Sequence, residues 1–158
     1  MKKVTARKNV IADIFDVLST TAPKELESLK ETDVIRAMTK FAKLTDKFEL
    51  PEVKAANEEK AALAKAVRAE VKPLFAGKSQ EEIKELSAPY DQKLAQGYSD
   101  ITEKHGLDKL QESEGTVELS DEEHALLLEV LPVVGKPRFT GVKPFAAALE
   151  AVQGAVEA

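Results

Sequence analysis

The amino-acid sequence predicts a mainly α-helical protein, a helical hairpin or bundle with a small irregular β element in its C-terminal third. Three observations predict this class. Apolar residues recur every three or four positions through most of the 158 residues, which is the period of one helix face. Capping residues and prolines stand where these runs begin, and Gly stands where they end. Aromatic residues make up only 5% of the chain and charged residues 32%, which is typical of a thin core beneath a charged helical surface.

Residues 1–49 are the predicted N-terminal helical segment. Thr5 is the predicted cap of a first helix that runs to about Ser19, because apolar side chains follow at helical spacing. The first ten residues carry four basic side chains interleaved with Val4, Thr5 and Ala6, which is typical of a flexible, solvated end. After the break at Pro23, a short helix is expected over residues 24–30.

A further helix is predicted after the capping pair Thr32 and Asp33. Its apolar stripe includes Phe41 and Phe48, two of the six Phe residues of the chain. Because aromatic residues are scarce, these rings are expected to anchor either the core or a contact with another protein.

Residues 50–106 are the predicted central hairpin of two helices. Pro51 suits the first turn of the first helix, and Gly77 suits the turn between the two. Ser79 and Glu82 have the spacing of a capping box, so they are expected to open the second helix.

The second helix of the hairpin contains Pro89, which predicts either a kink or a new start. The sequence favours a new start with Ser87 as its cap. The helix is expected to end at Lys104-His105-Gly106, where cations and then Gly suit the C-terminal end of a helix.

Residues 107–158 are the predicted acidic C-terminal region, since the chain from Asp108 onward carries ten acidic and four basic side chains. Residues 116–119 alternate in polarity and predict a short strand. Ser120 and Glu123 form a second capping-box pair that opens another helix. All three segments are expected to belong to one domain.

A Pro-rich arm from Pro132 to Phe145 is predicted to be irregular, because its prolines and glycines oppose long regular structure. Short edge strands are expected at residues 133–134 and 138–139. A last helix is predicted over residues 145–156.

Candidate interface residues are the apolar side chains of the Phe-bearing helix and of this arm: Phe41, Phe48, Val133, Val134, Phe139 and Phe145. So short an arm cannot easily hide its own apolar side chains. A neighbouring subunit could cover them or add a strand to them. They could equally well pack on the chain's own hairpin.

The sequence predicts no catalytic residue, no cofactor and no metal site. Nucleotide-binding loops, nucleophile motifs and zinc-helix motifs are absent. Cys is absent and the chain has two His residues, which excludes thiolate and multi-histidine metal sites within one chain. The run Asp121-Glu122-Glu123-His124 is interpreted as a helix N-terminus favoured by the helix dipole, and His105 as a helix end rather than a pH switch.

Neither a membrane nor a nucleic acid is an expected partner. The longest apolar run, residues 125–134, is too short to span a bilayer, and no signal peptide is expected after Met1. The net charge is −5, and the chain lacks the large positive face that nucleic-acid binding needs.

The helices, turns and short strand predicted over residues 50–158 follow one another in a distinctive order. An Ala- and charge-rich helix pair ends in Lys104-His105-Gly106, and a polar turn leads to Thr116-Val117-Glu118-Leu119. An acidic helix, a Pro-rich return and a terminal helix with Ala148-Leu149-Glu150 follow. This order resembles the small helical proteins of tailed bacteriophages that are encoded among the head and tail genes. In many of those proteins the helix pair ends in Lys-Tyr-Gly, where this chain has His105.

The resemblance implies a structural component of the virion, in the head–tail or tail region, that acts by protein–protein contacts and has no catalytic residues. Its expected partners are other virion proteins or copies of itself in an oligomer. An alternative is a tail-assembly chaperone or a cytoplasmic regulatory binding protein. A third interpretation, an enzyme of unrecognised type, would require a deep pocket that brings Tyr, His and carboxylate side chains together.

Overall fold

The computed structural model describes residues 1–28, 34–135 and 138–158, and 75% of it is helical. Its described α-helices and strands are, in chain order, β1 (Lys2–Arg7), α1 (Lys8–Ser19), α2 (Val34–Lys47), α3 (Pro51–Val71), α4 (Gln80–Lys104), β2 (Glu114–Leu119), α5 (Asp121–Gly135), α6 (Val142–Gln153) and β3 (Val156–Glu157). Short 3₁₀ segments cover Pro23–Ser28, Lys72–Phe75 and Leu107–Glu112. The predicted class, mainly α-helical with a small β element, is confirmed.

The chain folds as two compact units. The first unit combines Met1–Leu50 with Lys109–Ala158, and the second unit is Pro51–Asp108. The second unit is therefore an insertion, a helical hairpin of α3 and α4, within the chain of the first.

The first unit contains a three-stranded antiparallel sheet with strand order β2-β1-β3. β1 is the central strand, and its Val4 lies opposite Val117 of β2. The predictions of a flexible N-terminal end and of a helix cap at Thr5 are wrong. Successive side chains of a strand point to opposite faces of the sheet. In Lys2–Arg7 this places Val4 on the inner face, where it is fully buried. The first helix starts only at Lys8.

Four helices pack on one another and on this sheet to form the core of the first unit: α1, α2, α5 and α6. Its largest fully buried side chain is that of Phe48. Gly115 in β2 allows the strand to approach α1 closely, because a Cβ atom there would lie 2.8 Å from Ile11 Cδ1. Each large apolar side chain buried here contributes about 1.5–3 kcal/mol to the stability of the fold.

α5 continues through Pro132 to Gly135, so the predictions of an irregular arm beginning at Pro132 and of an edge strand at residues 133–134 are wrong. A helix-interior Pro costs about 3 kcal/mol, but Leu131 and Val134 beside it are buried in the core, and this packing holds the helical conformation. The edge strand predicted at residues 138–139 is also wrong, because those residues form a turn and a bend.

α4 is one continuous helix, so the predicted restart at Ser87 is wrong. The Ser87 hydroxyl does not cap a helix but donates to the Lys84 carbonyl oxygen at 3.0 Å, as Ser does within helices. Both predicted capping boxes are confirmed. Ser79 and Glu82 exchange backbone and side-chain hydrogen bonds.

The second capping box is formed by Ser120 and Glu123 in the same way. Gly77 and Gly106 have φ of 71° and 67°, which explains why Gly follows each helix of the hairpin. The predicted cap at Thr32 and Asp33 lies outside the described residues. So does the end of the helix expected over residues 24–30, where Pro23–Ser28 is a 3₁₀ segment.

Arg138, in the turn after α5, links three parts of the first unit. Its Nη1 donates to the Val134 carbonyl oxygen at 3.1 Å, and its Nη2 donates to both carboxylate oxygens of Glu25 at 2.6 and 2.7 Å. A longer bond of 3.4 Å reaches the Thr20 carbonyl oxygen. The bond from Arg138, with help from the Ala22 N–H, holds the pKa of Glu25 below its ordinary value.

Asn9 and Asp13 share one face of α1, and both are partly buried by the folded chain. Burial raises the pKa of Asp13, and the nearby charge of Asp16 raises it further. Asn9 Oδ1 is buried, and the described part of the chain offers it no hydrogen-bond partner. The Asp13 carboxylate therefore opposes folding when it is charged.

Replacing Val4 with Ala tests whether β1 is part of the core. We expect Val4→Ala to lower the free energy of unfolding by about 1.5–3 kcal/mol, because it removes fully buried methyl groups from a central strand. Chemical denaturation measures this change. The control Lys3→Ala changes an exposed neighbour and should stay within about 0.5 kcal/mol of the wild type. A flexible N-terminal end would instead leave both variants equally stable.

Replacing Asp13 with Asn tests the cost of its buried charge. The folded pKa of Asp13 is raised, so the folded state holds its proton more tightly, and the penalty exists only above the unfolded pKa. We expect Asp13→Asn to raise the melting temperature by about 1–3 °C at pH 7. This gain should shrink as the pH falls through the folded pKa towards about 4. Glu58→Gln, at an exposed position, serves as the control, and a lower melting temperature for Asp13→Asn at pH 7 would contradict the prediction.

Candidate interaction surface

Three of the six predicted interface residues are core residues of the first unit. Phe41, Phe48 and Val134 are only 6%, 0% and 2% exposed. Phe41 lies on the inner side of α2, Phe48 lies in the turn directly after α2, and Val134 lies near the end of α5. Their side chains are therefore covered by the unit itself.

The other three predicted residues lie around the turn between α5 and α6. The rings of Phe139 and Phe145 are half-buried and tilted against each other, with centroids 5.5 Å apart. Gly135 fits against both, because a Cβ atom there would lie 3.0 Å from Phe145 Cε2 and 3.1 Å from Phe139 Cε2. Val133 is 53% exposed, so it is the predicted residue with the freest apolar surface.

The solvent-facing side of α5 is apolar beyond its first turns. Ala125, Leu128 and Pro132 lie three or four residues apart, so they share one helix face, and all are exposed. Val133 stands beside them, and Val142 at the start of α6 is 82% exposed. The sequence did not reveal this face, because an irregular arm was expected to begin at Pro132.

The second unit is held in register by ion pairs between α3 and α4. Lys93 Nζ bonds both carboxylate oxygens of Glu70 at 3.1 and 3.2 Å. Nearer the open end of the hairpin, Lys104 Nζ and His105 Nε2 donate to Glu59 Oε1 at 2.9 and 3.0 Å. These bonds, from Lys104 first and then His105, hold the pKa of Glu59 below its ordinary value. His105 is thus a partner of Glu59 at the helix end.

The two helices of the hairpin approach closely at Gly97. A Cβ atom at that position would overlap the Leu63 side chain, so the absence of a side chain sets the contact between α3 and α4. At the next residue, Tyr98, the ring centroid lies 5.9 Å from Lys60 Nζ of α3, near the outer limit for a cation–π contact.

The most prominent apolar surface of the hairpin is a row of side chains along α4. This α4 stripe consists of Ile83, Leu86, Tyr90, Leu94, Tyr98 and Ile101. The helix has 25 residues, and none of them is buried. Leu86 is 37% exposed, and the other five are half-buried. α3 lies against part of this stripe, since Leu63 and Lys60 approach Gly97 and Tyr98. A single neighbouring helix covers only one side of α4, so the rest of the stripe stays in water.

A groove of about 290 Å³ lies in the first unit, between the end of α1, the 3₁₀ segment at Pro23–Ser28 and α2. Its described lining residues are Leu18, Ser19, Thr21, Pro23, Leu26, Met38, Phe41, Ala42, Thr45 and Asp46. Among them are one carboxylate and no imidazole or amine, so this groove assembles no acid–base pair.

The run Asp121-Glu122-Glu123-His124 does not converge on one point. Asp121 pairs with the Met1 ammonium group at 3.1 Å, and His124 Nε2 donates to the Val152 carbonyl oxygen at 2.8 Å. Glu123 binds Lys47 Nζ at 2.6 Å. Partial burial acts to raise the pKa of Glu123, but bonds from Lys47 and Ser120 outweigh it and lower that pKa.

Within residues 1–28, 34–135 and 138–158, no three His, Asp or Glu side chains are grouped so as to hold a metal ion. No helix in these ranges combines the length and the apolar character that crossing a bilayer requires.

Comparison with known proteins adds no relative to this description. No protein-family model, no curated protein and no solved structure matches this chain.

Proposed function

We propose that this protein is a structural or interaction protein that acts through protein–protein contacts and performs no catalysis. The observation that carries the proposal is the α4 stripe. Six large apolar side chains share one helix face, and the hairpin buries none of them fully. Contiguous apolar surface of this kind is typical of a contact site, whereas single exposed apolar residues are common on any protein.

The exposed side of α5 supports the same proposal. Ala125, Leu128, Pro132 and Val133 give the first unit an apolar face, and each leaves apolar area in water that a partner would cover. The described residues therefore carry one candidate contact surface on each unit. The groove in the first unit offers no comparable support for an enzyme, since its described lining brings a single carboxylate.

The resemblance to small tailed-phage proteins suggests which assembly this protein would belong to. In that setting the protein is a virion component of the head–tail or tail region, and its partners are other virion proteins or further copies of itself. A tail-assembly chaperone, or a cytoplasmic regulatory protein, would use the same apolar surfaces transiently. The two candidates differ in one measurable respect, because a permanent component stays in the purified particle and a chaperone does not.

Charges placed on the α4 stripe should abolish assembly. We expect the triple variant Leu86→Glu, Tyr90→Glu and Leu94→Glu to elute as a monomer of 17.2 kDa, because a buried carboxylate without a partner opposes association strongly. The wild-type chain should elute at a larger mass, alone or in extracts of the cells that make it. Size-exclusion chromatography with light scattering measures the mass in each case.

A matched control adds the same three charges to the exposed side of α4: Ala88→Glu, Gln92→Glu and Ala95→Glu. This control should assemble like the wild type, and circular dichroism checks that all three proteins keep their helix content. A wild-type chain that is monomeric both alone and in those extracts would contradict the proposed function. Presence of the wild-type chain in a purified particle separates the component from the chaperone.

A further inference from the structure

We infer that the part of the α4 stripe that α3 leaves exposed is covered by the α4 stripe of a second copy, and that the two hairpins pack antiparallel as a four-helix bundle. The inference rests on the proposed function, because it requires the stripe to be a contact surface. It adds the identity of the partner and the direction in which that partner lies.

The spacing of the stripe is the first argument. Its six residues are separated by three, four, four, four and three positions, and this series reads the same in both directions. A twofold axis on the stripe side of α4, at the level of Gln92 along the helix, would therefore place every apolar residue opposite another apolar residue. Ile83 would face Ile101 of the second copy, Leu86 would face Tyr98, and Tyr90 would face Leu94. A twofold interface requires this kind of self-complementary surface.

Pairing of two hairpins would also bury the apolar side chains that a single hairpin leaves partly exposed. In α4 no side chain is buried, and α3 buries only Ala56, Val67 and Val71. A four-helix bundle gives each helix two neighbours instead of one, so half-exposed side chains along the seam become core residues. The second copy supplies helices of the same two lengths, 21 and 25 residues, so each α4 would pair with an α4 of equal length.

The charges of the hairpin determine the direction of the pair. Its base, residues 51–59 and 100–108, carries six acidic and two basic side chains. Its tip, residues 65–85, carries four acidic and five basic side chains. An antiparallel pair places each acidic base beside the weakly basic tip of the other copy. A parallel pair would place two acidic bases together, and like charges across an interface are unfavourable.

Single-cysteine labelling tests both parts of the inference, because the natural chain has no Cys. Gln92→Cys marks the middle of α4 and Gln80→Cys marks its start, and both positions are exposed. The purified full chain should sediment with about twice the mass of one 17.2 kDa chain. Pulsed electron–electron resonance on nitroxide labels then measures the distance between the two copies.

The antiparallel bundle predicts different distances for the two labels. The labels at residue 92 should be separated only by the width of the bundle. The labels at residue 80 should be further apart, with an axial separation of about 36 Å from twelve residues of helix in each copy. The variant Leu86→Glu should weaken the dimer at least tenfold, and Ala88→Glu should leave it unchanged, with circular dichroism confirming that both keep their helix content.

Equal distances for both labels would mean a parallel pair and would overturn the inference while leaving the proposed function in place. A purified chain that stays monomeric at all concentrations and gains mass only with another protein would do the same. A chain that is monomeric alone and also in extracts of its source would overturn the inference and the proposed function together.

Discussion

The pairing of β1 with β2 is the contact on which the first unit depends. It joins Val4 to Val117, so residues 113 positions apart in the chain must meet before the inner face of the sheet exists. Only then do α1, α2, α5 and α6 have a common surface to pack on. Contacts between such distant residues form late and slowly, because the chain between them must first be ordered.

The contacts between the two helices of the hairpin are local by comparison. Its capping box, its turn at Gly77 and its ion pairs join residues within one stretch of chain. Local contacts make a hairpin easy to form, but two helices supply little core. Exposed ion pairs such as Lys93 with Glu70 add at most about 1 kcal/mol each. The proposed second copy would provide the burial that this unit lacks, which is why stability and assembly would be coupled in it.

The sequence predicted the parts of the fold that local chemistry decides. Ser79 with Glu82 and Ser120 with Glu123 open helices because a side chain and a backbone amide three residues apart bond each other whatever surrounds them. Distant packing decided the rest. Val4 is a strand residue only because β2 and β3 lie on either side of β1, and Pro132 stays helical because buried neighbours hold α5 together. The predicted interface had the same weakness, since Phe41 and Phe48 look alike in sequence whether they face the core or a partner. The sequence shows the residues of the α4 stripe at helical spacing. Only the structure shows that each of them stays partly exposed.

The insertion of the hairpin has a consequence for how such a chain can change. Both junctions, at Leu50 and Lys109, belong to the first unit, so the helices between them can lengthen without altering any residue of its core. One added heptad in each helix would extend the hairpin by about 10.5 Å and keep its apolar face in phase. The length of the hairpin can therefore change independently of the first unit. Related chains could acquire a longer or shorter hairpin by inserting or deleting whole heptads in both helices together.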